Sequence, residues 1–216
     1  MKIKSKAKPK VPPIEPGPYM AVCVGVIDLG EQFSEMFKNF RNEVQIVWEI
    51  PSETVEIDGE QKPRQLSRTF SVATSKKANL RAILSSWNGK VYSDEEFGEL
   101  DLFEQIGRPC FINVVLNDTG EYCNVDSVMP IPKGIPAPTS NTPPIRWDME
   151  EWDDEVFKTL PEWAQEKIKK STQYKTLHTP TDEVDFKNKA AEPAASVAPS
   201  APIQEAPSTE KESCPI

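Results

Sequence analysis

The uneven placement of proline is the feature that most limits how this chain can fold. Of its 21 prolines, six fall between Pro130 and Pro144 and six between Pro180 and Pro215. Because proline lacks the backbone donor that helices and central strands need, both stretches are predicted to lie outside regular structure. Residues 15–134 hold most of the aliphatic side chains and are numerous enough to bury a core. We therefore predict one folded domain there, with appended segments around it.

Residues 15–134 carry strand and helix patterns in a recognisable order. Apolar, β-branched or alternating segments predict strands at 18–29, 42–50, 65–72, 108–116 and 121–130. Apolar residues at helical spacing predict one helix at about 76–87, between the third and fourth strands. The order β-β-β-α-β-β is that of the OB-fold, a five-stranded barrel that binds oligonucleotides. We therefore predict a mainly β chain built around an OB-like five-stranded barrel.

Local signals set the expected ends of these elements. Pro51 is expected to end the second strand, and Asp58-Gly59 marks a hairpin turn in the loop that follows. Ser75 is the expected N-cap of the helix, and Asn88-Gly89 its C-terminal stop. Arg68 interrupts the otherwise apolar face of the third strand.

Composition divides the rest of the chain into segments. The N-terminus is lysine-rich, and the residues after the barrel change from proline-rich to acidic and aromatic. "LPEWAQEKIKKS" predicts a short helix, and the Ala/Pro/Ser/Glu composition beyond it predicts disorder. The predicted segments are a flexible basic arm at 1–14, the barrel at 15–134, a Pro-rich linker at 135–146, an acidic aromatic segment with a short helix at 147–178, and a disordered tail at 179–216.

The sequence offers no pattern typical of catalysis, of a cofactor site or of a metal site. Its only histidine, His178, lies in a polar segment just before the tail, and its four cysteines form no Cys-x-x-Cys pair. The nine glycines do not cluster in a phosphate-binding loop. No apolar run reaches the roughly 18 residues that span a bilayer. We predict a non-enzyme without cofactor or metal, with free thiols suited to a reducing cytoplasm.

The window from Gln61 to Ser93 contains no acid, although the chain has a formal charge of −9. At the chain average, this window would hold about five acids. The window predicts a binding face for a polyanion, such as single-stranded nucleic acid; the alternative is a solvated basic surface balanced by the acids of "SDEEFGEL". Seven bases occupy the window: Lys62, Arg64, Arg68, Lys76, Lys77, Arg81 and Lys90.

Two of these cations have a predicted position that favours phosphate. Lys76 and Lys77 are expected in the first turn of the helix, where cations oppose the helix dipole but suit a docked anion. Arg81 follows one turn later, on the helix face opposite Leu80 and Leu84. Three aromatic residues expected in loops are candidates for stacking on bases: Tyr92, Phe37 and Phe40.

The acidic aromatic segment has three possible roles. It is a solvated linker, a peptide that docks on a partner, or a segment that folds back on the basic face and competes with nucleic acid. A short amphipathic helix after a Pro-rich linker favours folding on a partner or on the barrel. The predicted partner-binding residues are Trp147, Trp152, Phe157, Trp163 and Ile168.

Several stretches together resemble a known group of proteins. They are "PGPYMAVCVGVIDLG", "IVWEIP", "KANLRAILSSWNGK", "RPCFINVV", "VMPIPKG" and "LPEWAQEKIKKS". In this order they are similar to bacteriophage proteins from replication and recombination gene clusters, which themselves resemble phage single-stranded DNA-binding proteins with an OB-type core. The resemblance covers roughly residues 16–175.

The resemblance implies a non-catalytic phage protein of the host cytoplasm that binds single-stranded DNA with weak sequence preference. Many such proteins end in an acidic tail with a terminal aromatic residue that recruits replication or recombination proteins. This chain ends in "EKESCPI" without that residue, so recruitment is expected instead through 147–170. The alternative function is an adaptor that binds a replication or host-defence protein through residues 147–175.

Overall fold

The computed structural model describes residues 12–57 and 59–178, which belong to one compact unit. The predicted tail at 179–216 and residues 1–11 of the predicted basic arm lie outside the described residues. No helix in the described ranges is long and apolar enough to cross a membrane.

An open six-stranded sheet forms the centre of the molecule. Five strands run antiparallel in the order β3-β2-β1-β4-β5, and β6 pairs in parallel with β1. The long hairpin of β1 and β2 is the central pair. The strands are β1 Gly17–Ser34, β2 Asn39–Ile57, β3 Glu60–Ser71, β4 Pro109–Leu116, β5 Cys123–Met129 and β6 Ile145–Trp147.

The helices are short and fall into two groups. One group lies between β3 and β4, and the other follows β6. The first contains α1 Asn79–Asn88, α2 Asp94–Gly98 and a 3-10 helix at Leu102–Gln105, and the second contains α3 Asp154–Thr159, α4 Glu162–Ile168 and α5 Thr172–His178.

The five predicted strands and the helix between the third and fourth are confirmed, but the sheet is open rather than a closed five-stranded barrel, and several predicted boundaries are wrong. Strand β1 continues to Ser34, and β3 already begins at Glu60. Strand β2 continues through Pro51, because the sheet has an irregularity between Ile50 and Thr54 where no ladder donor is required. The hairpin therefore extends to the predicted turn, with Ile57 paired to Glu60. Helix α1 begins three residues later than expected, with Ala78 rather than Ser75 at its N-cap.

One face of the sheet packs with α1 around the first core. Alternating residues of β2 from Val44 to Ile50 are buried here, and Trp48 contacts Trp87 of α1 with ring centroids 6.1 Å apart. Gly89 ends α1 in the left-handed conformation at φ 59°, as its sequence predicts. The amphipathic pattern of α1 therefore places it on the sheet.

The opposite face of the sheet is covered by the chain after residue 144. Strand β6 lies so close to β1 that a side chain at Gly25 would meet the Ile145 side chain at 3.2 Å. Trp147, Phe157 and Ile168 then form a second core with Val24, Ile27, Leu29 and Val47 of the central hairpin. The Pro-rich linker predicted at 135–146 lies outside helices and strands as far as residue 144, but its last two residues belong to β6, and Asn141 N donates to Glu49 Oε1 at 2.7 Å.

Trp147 is the residue by which the second core is best tested. It is 1% exposed, whereas Trp163 in α4 is 42% exposed. We expect Trp147→Ala to lower the free energy of unfolding by about 3–5 kcal/mol, because it leaves a large cavity. Trp163→Ala is the matched control and should cost about 1 kcal/mol or less. Urea denaturation measures both, and equal effects would contradict the packing of the C-terminal segment on the sheet.

Candidate functional site

The acid-free window does not form one continuous positive face. Four of its seven cations pair with acids that flank the window. These pairs neutralise positive charge at both ends of the window, so a polyanion would meet a smaller cationic surface than the sequence predicts. The pairs are Lys62–Glu60, Lys76–Asp94, Arg81–Asp94 and Lys90–Glu96.

Arg81 and Tyr92 are structural residues rather than exposed ligand contacts. The Arg81 side chain is buried and donates to Thr74 O at 2.9 Å, to Asp94 Oδ1 at 2.6 Å and to Tyr92 O at 2.6 Å. The Tyr92 ring is also buried and lies edge-on to Phe97. The predictions that Arg81 projects from the solvent face of α1 and that Tyr92 stacks on bases from a loop are wrong, because this network joins α1 to α2.

The Arg81–Asp94 pair should make the free energy of unfolding depend on pH. The hydrogen bond from Arg81 is the main cause that holds the pKa of Asp94 below its usual value. The folded state therefore favours the ionised carboxylate, and this stabilisation is present above about pH 4 and lost as the pH falls below it. Asp94→Asn should accordingly lose less stability than the wild type between about pH 5 and pH 2. Urea midpoints across this range measure the difference, and parallel curves would contradict the coupling.

Arg68 connects the two edges of the open sheet. Its Nη1 donates to Val125 O and to Asp126 O, each at 2.8 Å, so a side chain of β3 satisfies two carbonyls of β5. Its guanidinium also lies 5.1 Å from the centroid of the Phe70 ring. This explains why an arginine interrupts the apolar face of β3. Arg64 is likewise engaged with backbone, donating to Pro12 O.

A cleft of about 250 Å³ remains at the end of β3, between β3 and α1, and we call it the cationic cleft. Three of its nine lining residues are cations, namely Arg41, Arg68 and Lys77, and none is acidic. Lys77 has no ion pair within the described part of the chain. Because α1 begins at Asn79, Lys76 and Lys77 precede the helix rather than occupy its first turn as predicted. Lys77 therefore lines this cleft from the connection between β3 and α1.

Three exposed phenylalanines surround the connection between β1 and β2, and we call them the aromatic turn: Phe33 near the end of β1, Phe37 in the connection and Phe40 at the start of β2. They are 47%, 57% and 57% exposed, and the rings of Phe33 and Phe40 meet edge-on at 5.2 Å. The guanidinium of Arg41 lies 3.8 Å from the centroid of the Phe37 ring. Arg41 thus contacts Phe37 of the aromatic turn and also lines the cationic cleft.

The aromatic turn lies at the tip of a projecting hairpin. Strand β4 pairs with β1 only from Gly17 to Val22, and β3 pairs with β2 only from Glu43 onward. Strand β6 pairs with β1 only from Gly25 to Ile27, and the last backbone hydrogen bond to β2 from the side of β3 is that of Val72 N to Asn42 O. Nearer the tip, within the described chain, the two strands pair only with each other. The expectation of a loop position is confirmed for Phe37, but it is wrong for Phe40, which lies in β2 and pairs with Phe33 of β1. Arg41 was not predicted as a site residue. Its position directly after Phe40 was the available signal.

The predicted partner-binding residues are mostly internal. Trp147, Phe157 and Ile168 are buried in the second core, so the prediction that they meet a partner is wrong. Trp152 is half-buried, with its ring 5.0 Å from that of Trp147 and 4.9 Å from that of Phe157. Only Trp163 of this set is exposed. The segment therefore folds on its own sheet, as its short amphipathic helix allowed, but it packs on Val24, Ile27 and Leu29 of β1 rather than on the basic face.

The described residues contain no group of three or more His, Cys, Asp or Glu that could hold a metal ion. His178 stacks on Tyr174 with ring centroids 4.0 Å apart and contacts Trp152 at 5.2 Å. Its ring therefore rests on the helical layer, although the residue remains exposed.

No protein-family model matches this chain, and no curated protein or solved structure matches it. The resemblance to phage single-stranded DNA-binding proteins therefore stays a prediction.

Proposed function

We propose that this protein binds single-stranded DNA, without catalysis and with little sequence preference, across the aromatic turn and the cationic cleft. The observation that carries the proposal is the adjacency of exposed phenylalanines to a cleft lined by three cations and no acid. Single-stranded nucleic acid needs both kinds of group, since its bases stack on aromatic rings and its phosphates require positive charge.

Arg41 joins the two halves of this surface. Its guanidinium lies over the Phe37 ring and its residue also lines the cleft, so a base at the turn and the neighbouring phosphate can be held together. Lys77 supplies a second charge to the cleft from the connection between β3 and α1. Every base has an aromatic face and every nucleotide has a phosphate, so such contacts discriminate little between sequences.

The strand order supports an OB-type reading of the sheet. In the OB-fold, oligonucleotides bind on the face of strands 2 and 3 and on nearby loops. The cationic cleft lies at the end of β3, and the aromatic turn surrounds the loop between the first two strands. Arg68 brings β3 and β5 together, as neighbouring strands would be in such a barrel. Together with the sequence resemblance, this favours a role in phage DNA replication or recombination in the host cytoplasm.

The alternative of an adaptor that binds proteins through 147–175 has less support. That role requires accessible aromatic residues, and the segment uses Trp147 and Phe157 to cover its own sheet. Trp163 alone leaves a small exposed surface. We expect replication or recombination proteins to bind this protein when it is bound to single-stranded DNA. The proposed DNA-binding function does not depend on them.

Removal of the exposed rings should weaken binding strongly. We expect Phe37→Ala combined with Phe40→Ala to reduce affinity for a fluorescent oligo-dT at least tenfold, because stacking contributes about 1–3 kcal/mol per base. Both residues are exposed, so the fold should be retained. Fluorescence anisotropy measures the affinity, and Trp163→Ala, another exposed aromatic residue, is the control. Unchanged affinity in the double variant would reject the aromatic turn as the site.

The cationic cleft is tested by the salt dependence of the same titration. Arg41→Gln combined with Lys77→Gln should make the slope of log affinity against log salt shallower by about 0.7 for each phosphate that is no longer neutralised. Lys62→Gln is the matched control, since Lys62 lies roughly 30 Å along β3 from Ser71 at the cleft. If Lys62→Gln changes the slope as much as the double variant does, the cationic cleft is not the particular site of phosphate binding.

A further inference from the structure

The junction between α4 and α5 contacts the projecting hairpin of β1 and β2 at its base, near Glu31 and Glu43. We call residues 167–173 of this junction the clamp. We infer that the clamp fixes the direction in which the aromatic turn points, with Gln173 as its positioning residue. This inference rests on the proposed function for its consequence in binding, but the clamp itself is a separate property of the fold.

The clamp binds the backbone and a side chain of β1. Glu31 N donates to Gln173 Oε1 at 2.8 Å, which satisfies a strand donor that no neighbouring strand reaches. In the other direction, the buried Gln32 side chain donates through Nε2 to Lys167 O at 3.0 Å and to Leu29 O at 2.6 Å. Two consecutive residues of β1 are therefore tied to the helical layer.

Gly30 allows this close approach. Its φ of +69° is in the left-handed region, which favours glycine. A Cβ at this position would lie 2.9 Å from Gln173 Oε1 and 2.9 Å from the Cβ of the buried Ser171. The backbone of β1 and the clamp are thus in direct contact, with no room for an intervening side chain.

The clamp also reaches the second strand of the hairpin. Lys167 Nζ pairs with Glu43 Oε2, and Glu43 is the pairing partner of Gly30. The next residues toward the tip follow in register, with Glu31 paired to Asn42 and Gln32 paired to Arg41. The clamped residues are therefore directly opposite Arg41, which lines the cationic cleft.

The hairpin needs such support because nothing else in the described chain pairs with its tip. An isolated two-stranded hairpin is marginally stable at best in water. Without the clamp, the aromatic turn would sample several directions relative to the cleft, and a ligand that contacts both would have to order it on binding. The covering segment therefore favours ligand binding instead of competing with it.

The experiment compares Gln173→Met with Gln165→Met in the full-length chain. Both changes remove an amide of similar size from the same helical layer, but Gln165 donates to Lys158 O and Leu160 O and does not contact the hairpin. Amide hydrogen exchange should accelerate about fivefold at residues 31–41 in Gln173→Met only, with exchange at Gly17–Val22 unchanged. Affinity for oligo-dT should fall about threefold or more in the same variant.

The two measurements separate the two proposals. Unchanged exchange at residues 31–41, or the same acceleration in both variants, would overturn the clamp. Faster exchange with unaltered oligo-dT affinity would overturn the coupling between the clamp and the ligand surface. If wild-type protein shows no oligo-dT binding, the proposed function fails, while exchange in Gln173→Met still decides whether the clamp holds the hairpin.

Discussion

The burial of β1 on both of its faces is the constraint on which the rest of the structure depends. Ala21, Cys23 and Val26 contribute to the first core, whereas Val24 and Ile27 contribute to the second. A strand that is apolar on both sides has to be covered twice. Helix α1 and the elements near it cover one face, and the segment from β6 to α5 returns across the molecule to cover the other.

Because both faces of the sheet are covered in this way, the acidic residues of the covering segment lie on its outer surface. Between Trp147 and Phe157, the aromatic side chains point toward the sheet while Glu150, Glu151 and Asp153 remain exposed. The acidity of the segment is thus on the outer surface of the helical layer. The cationic cleft and the aromatic turn lie at the end of the central hairpin and of β3, with no acid among the residues that line the cleft.

Arginine has different roles at three positions of the same fold. Arg81 is buried in a network between two helices, Arg68 joins the edge strands, and Arg41 lies at the surface against an exposed ring. In the sequence all three are cations, and their immediate neighbours do not distinguish these roles. What separates them is which carbonyls and carboxylates come within hydrogen-bonding distance, and those partners are up to 58 residues away. The acid-free window therefore contained both Lys77 and Arg81, but it could not separate a ligand candidate from a structural residue.

The sequence by itself determined the strands, their order and the helix among them, because alternation with period two and apolar spacing near 3.6 are local properties. It also placed Phe37 in the β1–β2 connection. Only the tertiary structure decided that Pro51 stays within a strand, that Gly25 pairs with Ile145 and that Gln173 holds the hairpin. These outcomes depend on contacts between residues more than 100 positions apart or on an irregularity in pairing, and no local pattern records which distant surface an apolar segment will cover.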